Sequence, residues 1–186
     1  LLQEIPPTLM ASFLYLGAGL GMLIMGFVSR TNNIRKKEAS LTKKELPFTI
    51  AMVVLDILAP IFLMIGLTMT SAANASLLNN FEIVATSLIA LFIFREPISK
   101  RLWGAIALIT ISSIILTIED VSNISFSLGS VFVLLACICW GLENNCTRKL
   151  SVKDPLEIVV IKGLGAGAGS LLIAFILNEQ AGNLTY

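Results

Sequence analysis

Residues 72–94 read AANASLLNNFEIVATSLIALFIF, 23 residues that carry a single ionisable side chain, Glu82. At ~1.5 Å per residue, a helix of this length crosses the ~30 Å hydrocarbon core of a bilayer. The stretch lacks strand-like alternation. In lipid every backbone amide needs a partner within its own segment, so helix is the structure it dictates. Working outward from Ala72–Phe94, five further apolar runs qualify: Pro7–Val28, Phe48–Met69, Leu102–Ile118, Leu128–Asn145 and Leu156–Leu177. Leu102–Ile118 and Leu128–Asn145 are short and lean on flanking residues. Several runs in succession, with no cleavage pattern after the first, exclude a signal peptide.

Composition agrees. The chain is 56% hydrophobic and 13% charged, against about 25% charged in a soluble domain. Too few polar groups exist to coat a water-soluble globule, so the lipid bilayer is the solvent for much of the surface. A net charge of +1 gives no reason to expect nucleic acid. The expected fold is an all-α membrane protein with six transmembrane helices in view.

The basic residues orient these helices. Arg30, Arg35, Lys36, Lys37, Lys43 and Lys44 follow the first run, Arg95, Lys100 and Arg101 the third, and Arg148, Lys149 and Lys153 the fifth. The alternate loops, Thr70–Ser71 and Glu119–Ser127, hold no Lys or Arg. Twelve of the thirteen basic residues therefore share one side, which the positive-inside rule assigns to the cytoplasm. One missed or invented helix would scramble this partition.

Shifted by 148 residues, the beginning of the chain lies on its end. Pro7 meets Pro155, Leu16-Gly17-Ala18-Gly19 meets Leu164-Gly165-Ala166-Gly167, and Gly21, Leu23 and Phe27 meet Gly169, Leu171 and Phe175. With Leu2 on Leu150, nine of 27 aligned positions are identical without a gap. The first run thus corresponds to the sixth, and one repeat holds five helices. An odd number of crossings inverts the second copy, an arrangement common among secondary transporters. The expected organisation is a first repeat over 1–127 that lacks its opening helix, of which Leu1-Leu2-Gln3-Glu4 resembles the tail. A second repeat over 128–186 stops after two helices. The whole would have ten helices.

Gly17 and Gly21 share one helix face, as do Gly165 and Gly169, and such faces let backbones approach in lipid. Both are expected against protein, for static packing or for sliding. Pro7 and Pro155 suit a first helical turn. Pro60, inside a run, is expected to kink it and to leave the carbonyl near Asp56 without its usual donor. Cys137, Cys139 and Cys146 read as packing residues, because Cys137 and Cys139 point to different sides of a helix and no His or Asp joins them at ligand spacing. No metal or cofactor is implied.

Intramembrane charges carry the functional information, since each is costly unless it meets a partner or a water-filled path. Around Glu82, Asn79 precedes by three and Thr86 follows by four, placing all three on one helix face near mid-membrane. They form an interhelical clamp or line a path for substrate or protons. Asp56 and Lys162 sit at similar depth from the cytoplasmic side. They neutralise one another, or they too serve the path. Glu143, with Asn144, Asn145 and Trp140, lies near the cytoplasmic end of its helix and reads as a cap or a snorkelling group, with a functional role as the alternative.

Ser71-Ala72-Ala73-Asn74-Ala75-Ser76-Leu77-Leu78, then Phe81-Glu82, Leu91-Phe92-Ile93-Phe94-Arg95-Glu96 and Trp103-Gly104-Ala105 resemble the EamA-like family of the drug/metabolite transporter superfamily. Glu82 matches the family's acidic position and Glu96 its helix-end acid. Ile83 stands where the family frequently has proline. Trp140-Gly141 through Asn145, with Lys149, is similar to the helix that opens each family repeat. The resemblance covers helices two through seven of ten. It implies inverted five-helix repeats that move small metabolites, amino acids or drugs, often outward.

The function expected is therefore a fragment of a secondary transporter, exporting small molecules by alternating access across the bacterial inner (plasma) membrane. A channel-like or non-transporting membrane subunit is the alternative, and self-association is compatible with either. An enzyme is disfavoured by the lack of His and of a paired nucleophile and base. No phosphate-binding loop points to ATP.

Overall fold

The computed structural model describes residues 5–31, 39–117 and 128–178. Helix is the only regular structure among them: α1 (Pro7–Thr31), α2 (Leu46–Met69), α3 (Ala72–Asn79), α4 (Phe81–Phe92), α5 (Lys100–Thr117), α6 (Leu128–Leu150) and α7 (Pro155–Ile176). Five stretches of the described chain are long and apolar enough to cross a membrane: Thr8–Val28, Leu46–Met69, Ala72–Phe92, Leu128–Leu150 and Pro155–Ile176. The expected span Leu102–Ile118 is α5, helical to Thr117. Arg35, Lys36, Lys37, the loop Glu119–Ser127 and the tail Leu1–Glu4 lie outside the described residues.

Ala72–Phe92 is one candidate crossing made of two helices. Asn80 separates α3 from α4: its side-chain amide donates to the Leu77 carbonyl at 3.1 Å, and its backbone N–H donates to the same oxygen at 3.2 Å. A short amide side chain competes for carbonyls that would otherwise continue the α-ladder. The interruption thus falls at Asn80, three residues before Ile83. Helix starts follow their sequence signals. Ser71 accepts from the Asn74 N–H ahead of α3, and Asp154 accepts from the Leu156 and Glu157 N–H groups ahead of Pro155 in α7.

The chain forms two compact units, one of Leu1–Ile57 with Cys146–Tyr186, the other of Leu58–Asn145. In the first, α1 and α7 run antiparallel. As α1 advances from Leu16 through Gly19 to Gly26, its neighbours on α7 run back from Gly167 through Gly163 to Leu156. A methyl at Gly19 would sit 2.7 Å from the Leu164 backbone nitrogen, and one at Gly163 would sit 2.6 Å from the Gly19 Cα. This seam is glycine on glycine. The start of α2 lies parallel to α7 along its other side, with Val53 at Gly165 and Ile57 at Gly169. Met52, Cys146, Leu150 and Ile158 form the buried core of this unit.

These contacts correct the expectation for the first glycine face. Gly165 and Gly169 do meet protein, but Gly17 and Gly21 have nothing within 4 Å. The α1 surface that packs on α7 is the one carrying Gly19 and Gly26, rotated away from Gly17 and Gly21.

Two loops that the charge pattern assigns to one side meet in the same unit. The Leu41 N–H donates to Glu157 Oε2 at 3.1 Å, the Asp154 N–H donates to the Ala39 carbonyl at 3.0 Å, and Lys153 Nζ lies 3.4 Å from Glu45 Oε2. The hydroxyl and amide of Thr42, and then Lys153, hold the Glu45 carboxyl below its ordinary pKa.

In the second unit α2 and α6 approach through glycine as well. A methyl at Gly66 would lie 2.9 Å from the Gly129 carbonyl oxygen, and one at Gly129 would lie 2.8 Å from the Met69 backbone. Phe62 and Phe132 stack at 6.1 Å between ring centroids. Ala75, Val133 and Cys137 form the buried core there, lined by Leu63, Leu67, Leu78 and Phe81.

Candidate functional site

Within the second unit, α4 presents Glu82 and Thr86 on one face, four residues apart. Opposite them α6 supplies Asn144. Its side-chain amide nitrogen donates to Glu82 Oε1 at 2.9 Å and to Thr86 Oγ1 at 3.3 Å, bridging carboxylate and hydroxyl. All three side chains are only part-buried. Glu82 Oε2 accepts no hydrogen bond among the described residues, which leaves one carboxylate oxygen anchored and the other available.

The next residue on α6 sets the distance between the helices. Asn145, 3% exposed, donates through Nδ2 to the Thr86 carbonyl at 3.0 Å and to the Gly141 carbonyl at 2.7 Å. Gly141 makes this possible, since a methyl there would come within 2.9 Å of the Thr86 backbone nitrogen. The α4 backbone therefore rests on the bare face of α6, and Asn145 pins it at the register where Asn144 reaches Glu82.

Asn79 occupies another level. Its Oδ1 lies 3.8 Å from Cys137 Sγ, and the same thiol donates to the Leu78 carbonyl at 3.5 Å. Cys137 is seven residues before Asn144, about 10 Å along α6. The break at Asn80 ends α3 at Asn79, so Glu82 and Thr86 share a helix that Asn79 does not. The expected trio is thus a pair joined by a residue from α6.

Asp56 and Lys162 belong to the first unit. Asp56 is fully buried, and its Oδ2 pairs with Lys162 Nζ at 3.2 Å. Tyr15 on α1 donates its hydroxyl to Asp56 Oδ1 at 3.2 Å. The carboxylate thus ties α1, α2 and α7 together. Pro60 has no N–H to give the Asp56 carbonyl.

One reading from sequence is changed here. Glu143, expected as a cap or snorkelling group, is 1% exposed, because α6 continues seven residues past it to Leu150. Asn144 and Tyr15, which hold the two carboxylates, carried no distinct signal in the sequence. The cue for Asn144 was its place beside Glu143 and Asn145, a polar triplet well inside a helix. Among the described residues, no cluster of three His, Cys, Asp or Glu could hold a metal ion.

Two relatives are similar in sequence. An uncharacterized transporter of Methanothermobacter thermautotrophicus is 26% identical over 95% of this chain and 54% of its own length. Protein LicB of Haemophilus influenzae is 32% identical over 51% of this chain and 33% of its own. The chain spans about half the length of the first relative and less of the second. No solved structure matches. The EamA-like transporter family matches residues 1–118, which include Glu82, Thr86 and the Arg95-Glu96 helix end. With its apolar helices and its half-buried intramembrane carboxylate, the chain belongs to the EamA-like transporter family, a family of multi-helix membrane proteins.

Proposed function

We propose that this chain is part of a secondary transporter that carries small molecules across the bacterial inner membrane by alternating access, with net export. Glu82, Asn144 and Thr86 line the path, and Asn79 stands on the same wall at another level. Asp56 and Lys162 act as the ion pair that fixes α7 to α2. The 148-residue shift supports reading 1–127 and 128–186 as parts of two inverted repeats of a longer protein.

The observation that carries this reading is the unsymmetrical state of Glu82. A purely structural clamp satisfies both oxygens of a membrane carboxylate, because an unpaired one is costly in lipid. Here one oxygen is anchored by Asn144 and the other is left open on a part-buried surface. Such a carboxylate is held in position yet free to exchange a proton or a ligand.

Flux through the longer protein tests the class. A carrier saturates with substrate and stops when the ion gradient is collapsed. Flux that rises linearly with substrate and persists without a gradient identifies a channel, and no flux from a folded protein identifies a non-transporting subunit.

A further inference from the structure

We propose that the Glu82–Asn144–Thr86 cluster takes a protonated amine, an ammonium with N–H bonds to give, in preference to a quaternary ammonium or an anion. This rests on the reading of Glu82 as a path residue and adds the chemistry of what it meets.

A side-chain amide has two N–H donors and one carbonyl acceptor. Asn144 directs its nitrogen at Glu82 Oε1 and Thr86 Oγ1, and Asn145 directs its own at the Thr86 and Gly141 carbonyls. All four amide hydrogens that α6 brings to the cluster are therefore committed within the protein. Among the described residues, what remains unspent is Glu82 Oε2, Asn144 Oδ1 and the Thr86 hydroxyl hydrogen. Two acceptors, one of them charged, stand beside one weak donor.

The surrounding charge has the same sign. Basic residues of Leu58–Asn145 are Arg95, Lys100 and Arg101, all exposed, beyond α4 or in the first turn of α5. Arg95 is nine residues past Thr86, roughly 13 Å at helical rise. An anion would meet a carboxylate, and the basic side chains that follow on α6, Arg148 and Lys149, are exposed. A quaternary ammonium would gain the Coulomb attraction but offer Asn144 Oδ1 no hydrogen bond. An ammonium with two or more N–H bonds satisfies both acceptors at once, and hydrogen bonds to charged groups are the stronger ones.

Binding can be read apart from transport. The 186-residue protein, labelled with ¹⁵N-asparagine in detergent micelles, is titrated with methylammonium, tetramethylammonium or acetate at constant ionic strength. The Asn144 side-chain resonance, assigned by its loss in Asn144→Leu, reports occupancy. We expect a saturable shift with methylammonium, at an affinity about tenfold above that for tetramethylammonium, and its loss in Glu82→Gln. Acetate should give none. Equal or tighter tetramethylammonium binding overturns the requirement for N–H bonds. Saturation by acetate, or no saturable shift with any probe, overturns the amine class altogether. If Glu82→Gln nevertheless abolishes flux in the longer protein, Glu82 remains a path residue and only the ligand class fails.

Discussion

At the scale of single residues, Asp56 is fully buried and ion-paired while Glu82 is part-buried with one oxygen bonded, and their variants should behave differently. Asp56 has no exposed surface and its partner Lys162 is mostly buried, so removing one charge leaves the other uncompensated in a low-dielectric setting. Asp56→Leu should destabilise the protein by about 3–5 kcal/mol, and the double variant Asp56→Leu/Lys162→Met should recover most of that loss. Thermal unfolding in detergent checks both. If the double variant unfolds as though the two losses simply added, the pair is not mutually neutralising.

Sequence alone could name Asp56, Lys162, Glu82 and Thr86, because a charge in an apolar run is conspicuous. It could not tell which partner each of them meets, since that depends on which helix lies opposite. Asn144 shows why. An asparagine beside a glutamate reads as a helix end until the helix is seen to continue to Leu150. Only the packing of α6 on α4 then decides that residue 144, and not 143, reaches the carboxylate.

At the scale of elements, glycine spacing identified the seam but not the face. Four-residue spacing selects Gly17 with Gly21, yet α1 packs through Gly19, whose contacts are backbone atoms that cannot move aside. Gly19→Ala should therefore cost a few kcal/mol through overpacking. Gly17→Ala, with open space around it, should be neutral or gain up to about 1 kcal/mol from helix propensity. Equal effects in thermal unfolding would contradict the seam. The six apolar runs and their helical character were legible because lipid leaves no other backbone solution. The division at Asn80 was not, since it turns on one side chain competing for the Leu77 carbonyl.

The loop contact between Glu45 and Lys153 gives a pH signature at this same scale. Glu45 has its pKa lowered in the folded protein, chiefly by Thr42. Its contribution is thus complete above the ordinary carboxylate range and lost as pH falls through the lowered value. Amide exchange at Thr42, corrected for its intrinsic rate, should accelerate on acidification in the wild type. In Glu45→Gln the Thr42 amide should exchange fast throughout. Exchange at Thr42 that ignores both pH and the substitution would dismiss the contact.

At the scale of the whole molecule, membership of a transporter family and the alternation of basic loops jointly fix an expected topology. With Cys137, Cys139 and Cys146 replaced, cysteines at Lys44 and Lys100 should label only from the cytoplasm and one at Ser71 only from outside. Labelling of Ser71 and Lys100 from the same side would break the topology.

The central claim, that Glu82 lines a transport path, is tested most directly by flux through the longer protein carrying Glu82→Gln or Glu82→Ala, each measured beside the yield of monodisperse folded protein. Glutamine keeps the shape and can still accept from Asn144, while alanine removes both charge and acceptor. The account predicts that Glu82→Gln abolishes flux with folded yield unchanged. Flux at the wild-type level from Glu82→Gln, with yield lost only in Glu82→Ala, would contradict it and leave Glu82 as a packing residue between α4 and α6.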